Sequence, residues 1–242
     1  NNWYQSSSYF LSSFALITSV SEDGVTSIGP YQLSFPFGVI ERREWIVISR
    51  RGSNTSKNLL RNKKCALNFV EYDKKHIPNI VDLGYPGQAP EEKMEDCTFE
   101  LENSPTESFV TDPERPKVIK EAFQVFECEL NDNPEDFHYA GTEFTEYLLL
   151  KINHVHLRER WKKNLDKGND MEIPNMPISF GFRNANQFWF ARHKKPFWLP
   201  TPENKGAKHA IQMFKVGANI IDVGGESTRP GSKAINVKIE WN

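Results

Sequence analysis

The sequence predicts a mainly β protein, a barrel or sandwich with a few helices and a short α/β tail. Three observations support this class. Short runs of β-branched and aromatic residues fill much of 14–72 and are separated by turn signals, as in all-β domains. Alternating apolar and polar residues return at 122–130 and 146–157, which is the period of a strand. After residue 202 the pattern changes to a helix, a strand and a glycine-rich loop.

The first strands are delimited by their turns. Residues 14–20 (FALITSV) are a short β-branched run, and residues 21–24 end it with the Asp-Gly pair that favours tight hairpins. An extended segment follows at 25–33. Residues 45–49 (WIVIS) have the composition of a buried strand. These segments predict a hairpin followed by a further core strand.

A polar loop and the start of a helix come next. Residues 50–55 (RRGSNT) are typical of a loop. Residues 56–61 predict a short helix, with Thr55 or Ser56 as the N-cap. Residues 65–72 (CALNFVEY) then predict another strand.

The segment 84–116 interrupts the strand pattern with prolines and a run of acidic residues. We expect a long surface excursion with one short helix near 91–96. A loop of this length is either a lid or binding loop, or a plain insertion, and the pattern favours neither. Farther along, aromatic residues crowd 180–199 and indicate core or subunit interface rather than ring-stacking positions.

The carboxyl-terminal residues have the pattern of an α/β protein. An amphipathic helix is predicted at 205–216, a buried strand of the parallel type at 219–223 (NIIDV), and a glycine-rich loop at 224–231. A Pro-Thr-Pro boundary separates two predicted domains, 1–202 and 203–242.

Composition excludes several classes. The chain has 242 residues, and 30 basic against 32 acidic side chains give a net charge of −2, which argues against a nucleic-acid partner. The apolar stretch at 9–20 is too short to span a membrane, and no segment has the order of a signal peptide. Three dispersed cysteines form no disulfide or zinc pattern, so we expect a cytoplasmic protein. Because the first residue is Asn1, we take the sequence to be processed or truncated.

The loop at 49–55 offers two guanidinium groups, several hydroxyls and the free N–H groups of a helix start. This set suits a phosphate, because arginine supplies charge and forked donors while the helix supplies oriented dipoles. The earlier segment 27–35 offers backbone groups and small side chains that suit a flat ring. A solvated turn without a ligand is the alternative interpretation.

These segments resemble, in order and spacing, the flavin reductase-like branch of the FMN-binding split barrels. The resemblance rests on ALITSVSEDGVTSIGPYQLSF, WIVISRRGSNTSKNL, CALNFV, YLLLKINHVHL and FGFRNANQFWFAR, and covers most of 10–200. It implies a split β-barrel, a homodimer and FMN held at the dimer interface. It also implies a set of cofactor-binding residues: Ser27, Gly29, Pro30, Tyr31, Gln32, Leu33 and Ser34 at the ring, and Ser49, Arg50, Arg51, Ser53 and Thr55 toward the phosphate.

The chemistry implied by this resemblance is that of the flavin, with NAD(P)H as electron donor and FAD as a further flavin substrate. No catalytic triad spacing is present. His154 and His156 lie on one face of a predicted strand and are candidate catalytic residues. Two histidines without a third ligand do not predict a metal, and a structural role with a ring nitrogen bonded to the backbone is the alternative.

Residues 217–231 (GANIIDVGGESTRPG) resemble the second strand and following loop of dihydropteroate synthase. In that reading Asp222, Ser227, Thr228 and Arg229 would bind substrate. A complete synthase is a TIM barrel of about 250 residues, whereas residues 207–242 supply one helix, one strand and one loop. A truncated fusion of this folate-pathway transferase, and a split-barrel subunit that has lost its flavin, are therefore the alternatives to a flavin reductase. In each case we expect the NIIDV strand to pack on the barrel or pair with another subunit.

Overall fold

A computed structural model describes residues 12–38, 42–133, 141–167, 170–184 and 187–192 of the chain. Strands dominate the described part of the chain. They are β1 Ala15–Val20, β2 Thr26–Tyr31, β3 Ser34–Phe37, β4 Glu44–Arg50, β5 Lys64–Val70, β6 Leu101–Glu102, β7 Val118–Ile119, β8 Ala122–Leu130, β9 Thr145–Leu157, β10 Pro177–Asn184 and β11 Gln187–Arg192. The helices are α1 Asn54–Asn62, α2 Ile77–Gly84, α3 Pro90–Glu95, α4 Glu107–Val110 and α5 Glu159–Leu165.

Seven strands form one antiparallel sheet in the order β2-β1-β5-β8-β9-β4-β3. Strands β10 and β11 form a separate hairpin, and β6 pairs with β7. The sheet is a curled half-barrel, which confirms the predicted mainly β split-barrel class. The predicted Asp-Gly turn is also confirmed, because Gly24 has a φ of +80° and joins β1 to its antiparallel partner β2.

Both faces of the central strands are buried, so two apolar clusters share the sheet. One cluster contains Ile17, Val47 and Leu148 and is completed by helix residues Leu59 and Trp161. The other contains side chains from the opposite face and from the segment that follows β5: Leu16, Ala66, Val125, Ile80, Leu83, Phe99, Val118 and Ile119. The second cluster shows that α2 and the 84–116 excursion supply one layer of the core.

The buried side chain of Asn68 fastens this layer to the sheet. Its Nδ2 donates to the Leu16 carbonyl at 2.9 Å, and its Oδ1 accepts from the Ile119 N–H at 2.9 Å. Asn68 is fully buried, and an amide there satisfies backbone groups of two layers at once.

Most element predictions are confirmed, but the start of α1 and the character of the excursion 84–116 are wrong. The excursion holds two helices, α3 and α4, and contributes Phe99 to the core, so it is not purely surface. The short helix expected near 91–96 lies at Pro90–Glu95. Helix α1 begins earlier than predicted, and its N-cap is Ser53 rather than Thr55 or Ser56, because the Ser53 side chain accepts from the Ser56 N–H. Helices α2, α4 and α5 were not predicted from the sequence. No helix in the described ranges is long and apolar enough to cross a membrane.

The predicted boundary at 202 stays a prediction. The helix, strand and loop expected at 205–231 lie outside the described residues. All three cysteines are free; Cys65 and Cys128 are buried and Cys97 is partly buried.

Candidate functional site

A pocket of about 260 Å³ lies between β2, the start of α1 and the segment that joins α2 to α3. Seven of the sequence-predicted cofactor-binding residues line it, and all seven come from β2 and the α1 loop. The lining consists of Ser27, Ile28, Gly29, Pro30, Tyr31, Arg50, Ser53, Asn54, Thr55, Leu83, Gly84, Tyr85, Pro86, Gly87, Gln88 and Lys93.

Three hydroxyl groups meet at the base of α1. The Tyr31 hydroxyl lies 3.0 Å from Ser49 Oγ and 3.1 Å from Ser53 Oγ, and the two serine oxygens are 2.9 Å apart. Ser53 Oγ also accepts from the Ser56 N–H at 3.1 Å. Strand β4 runs directly into the loop that caps α1, and this short connection brings the side chains together.

Strand β2 passes very close to the first turn of α1. A Cβ atom added at Gly29 would lie 2.5 Å from Thr55 Oγ1, so only glycine fits there without a shift. Thr55 lines the pocket and is only 4% exposed, and its hydroxyl has no hydrogen-bond partner among the described residues. The first N–H groups of a helix also have no intrahelical partner. The pocket therefore presents donors that the described chain does not satisfy.

Two cations share this pocket. Arg50 is the last residue of β4, and Lys93 comes from α3 in the excursion. The Lys93 ammonium donates to the carbonyl of Leu83 at 2.8 Å and to the carbonyl of Tyr85. Burial lowers the pKa of Lys93, and the neighbouring charge of Arg50 lowers the pKa further. Within the described residues neither cation forms an ion pair with a carboxylate, so the pocket is matched to an anion.

Several sequence-predicted residues lie beside the pocket rather than in its lining. Gln32 Nε2 donates to the Ser179 carbonyl at 3.3 Å, and Ser34 Oγ donates to the Tyr31 carbonyl at 3.0 Å. The Leu33 carbonyl accepts from the Ile48 N–H at 2.8 Å. These contacts hold the turn between β2 and β3.

The two adjacent arginines of the loop have different partners. Arg51 Nε lies 3.0 Å from Glu146 Oε1, and its side chain is 50% exposed. Arg51 is absent from the pocket lining, whereas Arg50 is part of it. The pair therefore gives a natural comparison between a pocket cation and a surface cation one residue apart.

The sequence analysis missed the opposite wall of the pocket. That wall is formed by the end of α2, the connection 85–88 and Lys93, and Asn54 joins it by donating to the Gln88 carbonyl at 3.0 Å. The only available signal was the length of the excursion, which suggested a lid or binding loop.

The histidine pair lies in a different cluster. His156 Nε2 is 2.9 Å from Glu127 Oε2, and His154 Nδ1 is 3.7 Å from the same oxygen. Both histidines thus share one face of β9, as their spacing predicted. Their partner is a buried carboxylate instead of a backbone group, and neither lines the pocket at β2. The alternative substrate residues Asp222, Ser227, Thr228 and Arg229 lie outside the described residues.

The carboxyl-terminal tail matches a pterin-binding family. Residues 202–242 match the family described as pterin binding enzyme. Dihydropteroate synthase of Escherichia coli K12 is 61% identical to this chain over 33 residues, which are 14% of this chain and 12% of that enzyme. The chain thus spans about an eighth of the length of the curated relatives that it matches.

Solved structures resemble the rest of the chain. Pseudomonas fluorescens 2-nitrobenzoate 2-nitroreductase aligns over 80% of this chain and 86% of its own, with a TM-score of 0.62 and 18% identity. A putative flavin reductase with a split barrel domain from Shewanella frigidimarina aligns over 82% and 90%, with a TM-score of 0.61 and 14% identity. An FMN-binding protein from Thermus thermophilus aligns over 80% and 92%, with a TM-score of 0.56 and 14% identity. The chain therefore has the fold of the split-barrel flavin reductases, followed by a short stretch that matches dihydropteroate synthase.

Proposed function

We propose that this chain is a cytoplasmic FMN-binding flavoprotein, and that it acts as a NAD(P)H-dependent flavin reductase in a homodimer. The observation that carries the proposal is the pocket at the start of α1. It combines Arg50, Lys93 and a Thr55 hydroxyl that has no partner among the described residues, on the same fold that FMN-binding proteins use.

The donor set fits the phosphate end of FMN. A phosphate monoester carries a charge of about −1.5 to −2 at pH 7 and accepts several hydrogen bonds. Arg50 would bind it as a forked cation, Thr55 would donate its hydroxyl, and the first turn of α1 would donate backbone N–H groups. The glycine at position 29 leaves the room between β2 and α1 that such close approach needs.

The pocket is at the small end of the usual range for ligand pockets. Ligand pockets usually enclose about 300 to 1,000 Å³, and this one holds about 260 Å³. A single chain thus offers room for the phosphate-bearing end of the cofactor, and a second copy would enclose the remainder. When bound, FMN supplies the chemistry by accepting a hydride and passing electrons on. The chain's own residues bind and orient it.

A titration of the purified protein with FMN tests the proposal, with Arg50→Met and Arg51→Met as a matched pair. We expect Arg50→Met to weaken FMN binding by about 10- to 100-fold, the usual value of a charged hydrogen bond. Arg51→Met should change the dissociation constant by less than about twofold, because Arg51 pairs with Glu146 outside the pocket. NADH and NADPH oxidation with added FMN or FAD then tests the reductase activity.

The opposite results would favour the alternatives. A wild-type protein that binds neither FMN nor FAD would contradict the proposal and favour a split-barrel subunit that has lost its flavin. Synthesis of dihydropteroate from a pterin pyrophosphate and p-aminobenzoate would support the truncated-fusion alternative. We expect no such synthesis, because the matching stretch corresponds to 12% of the synthase.

A further inference from the structure

We propose that Lys93 determines the specificity of this pocket, and that it selects flavins with a terminal phosphate over flavins without one. The inference rests on the proposed flavin site and deepens it. It assigns a ligand-selecting role to the excursion 84–116, a segment whose purpose the sequence pattern left open.

The position of Lys93 is fixed before any ligand binds. Its ammonium group donates to two carbonyls, those of Leu83 and Tyr85, at the end of α2. Lysine has three N–H donors, so one donor remains for a ligand. The same two bonds hold the 84–88 wall beside the pocket. A ligand would therefore meet a pre-organised cation instead of a flexible surface lysine.

The acidic neighbours of Lys93 on α3 are occupied elsewhere. Glu91 Oε1 accepts from the Ser21 hydroxyl at 3.2 Å, and Glu92 Oε2 accepts from the Ala89 N–H at 3.2 Å. Arg50 faces Lys93 across the pocket and has no carboxylate partner within the described ranges. A partly buried ammonium group thus lies close to an exposed guanidinium group without a counter-ion among the described residues, an arrangement that an anion relieves.

The two cations of the pocket favour a ligand with two negative charges. A terminal phosphate monoester has close to two negative charges at neutral pH, and it would match Arg50 and Lys93 together. Riboflavin has the same ring and ribityl chain without the phosphate, so it gains nothing from either cation. The preference for FMN over riboflavin consequently measures the whole phosphate site apart from the ring contacts, and its change on substitution of Lys93 measures the contribution of Lys93.

The lowered pKa of Lys93, caused by burial and by the charge of Arg50, supports the same conclusion. Both lower the pKa of the ammonium group in the described chain. A bound dianion would offset this and hold Lys93 in its charged form. The second proton of a phosphate monoester leaves near pH 6, and the titratable side chains that face the pocket are Arg50, Tyr31, Tyr85 and Lys93. The preference for FMN should therefore rise between about pH 5 and 7.

Dissociation constants of FMN and riboflavin for wild type and Lys93→Met test the proposal. We expect the FMN-to-riboflavin preference to fall about tenfold in Lys93→Met, and its rise with pH to become shallower. Lys163→Met on the exposed face of α5 is the matched control and should keep the wild-type preference. Lys93→Arg should retain most of it. If Lys93→Met does not fold, Lys93→Gln is used, which keeps donors for the carbonyls and removes the charge.

The outcomes separate this inference from the proposed function. An equal loss of FMN and riboflavin binding in Lys93→Met would overturn the inference, because it would show that Lys93 only holds the 84–88 wall. An unchanged preference would overturn it as well and leave the FMN site intact. A wild-type protein without flavin binding would overturn both.

Discussion

Two polar clusters in this molecule differ in how their charges are balanced. The pocket at α1 gathers the cations Arg50 and Lys93 without an acidic partner in the described part of the chain. The second cluster, on β8 and β9, gathers donors around a single buried acid, Glu127. The first arrangement needs a ligand to balance it, and the second is complete by itself.

Both carboxylate oxygens of Glu127 accept hydrogen bonds from the protein. Its side chain is 4% exposed and accepts hydrogen bonds from the hydroxyls of Ser104 and Thr106 and from His156 Nε2. Burial alone would raise the pKa of this carboxyl, but the three hydrogen bonds outweigh it and lower the pKa below its usual value. The bonds fasten the excursion at 104–106 to the sheet. His156 therefore has a structural partner, and a catalytic role for the histidine pair stays a prediction.

The difference between the two clusters separates residues that stabilise the fold from residues that bind a ligand. A buried charge whose partners all come from the protein contributes to stability. A cation pair without an acid costs stability until an anion binds. Substitutions in the Glu127 cluster should thus change unfolding without changing flavin binding, and substitution of Arg50 in the pocket should do the reverse.

The largest effect is expected for Glu127→Leu. The substitution removes a buried carboxylate and leaves the buried Ser104 and the half-buried Thr106 and His156 without their shared acceptor. We expect the free energy of unfolding to fall by about 3 kcal/mol. Urea unfolding of the flavin-free protein measures it. FMN affinity of the folded fraction should stay within about twofold.

Glu159→Gln is the control for this substitution. Glu159 lies on α5 and pairs with Lys163 in an exposed i,i+4 ion pair, so its loss should cost less than about 0.5 kcal/mol. An equal loss in both variants would mean that Glu127 contributes no more than a surface acid. A large loss of FMN affinity in Glu127→Leu would break the separation of the two clusters.

The Glu127 cluster should also make the free energy of unfolding depend on pH at low pH, with a smaller effect. Because the folded pKa of Glu127 is lowered, its stabilisation is fully present above the unfolded pKa of about 4.3. It is lost as the pH falls from there through the folded pKa. Unfolding measured between pH 3 and pH 6 should show a steeper loss in wild type than in Glu127→Gln, whose amide does not titrate. Parallel profiles would contradict this assignment.

Much of the fold could be predicted from local pattern. The β8 strand was predicted with its observed bounds because apolar and polar residues alternate through 122–130. The shared face of His154 and His156 followed from the strand period of two. Helix α2 was missed, although Pro78 near its first position and Gly84 at its end are ordinary helix signals. The many prolines and acidic residues of the excursion predicted a surface segment. The sequence pattern gave no sign that Phe99 within it is a core residue.

The site was predictable on one wall only. The loop chemistry of Arg50, Ser53 and Thr55 is local, so a phosphate-binding hypothesis could be drawn from 49–55 alone. Lys93 is distant in sequence, and it reaches the pocket because α3 packs near β2. The choice between Arg50 and Arg51 also depends on tertiary contacts, since only the position of Glu146 on β9 shows which arginine is paired.

Ser53 joins the two kinds of role in one side chain, and a pair of substitutions can separate them. Its hydroxyl caps α1 and also belongs to the pocket lining. Ser53→Ala should lower the free energy of unfolding by about 1 kcal/mol, the usual cost of a lost N-cap. Ser53→Asp should keep the cap, because aspartate is as good an N-cap as serine. It should nevertheless abolish most FMN binding, because it puts a negative charge where the phosphate is expected.

The two variants thus predict opposite orders in two measurements. Thermal or urea unfolding should rank wild type close to Ser53→Asp and above Ser53→Ala. FMN titration should rank Ser53→Ala above Ser53→Asp. If Ser53→Asp binds FMN as well as Ser53→Ala does, no phosphate lies at the start of α1. In that case the uncompensated cations of the pocket would serve an anion other than the one proposed.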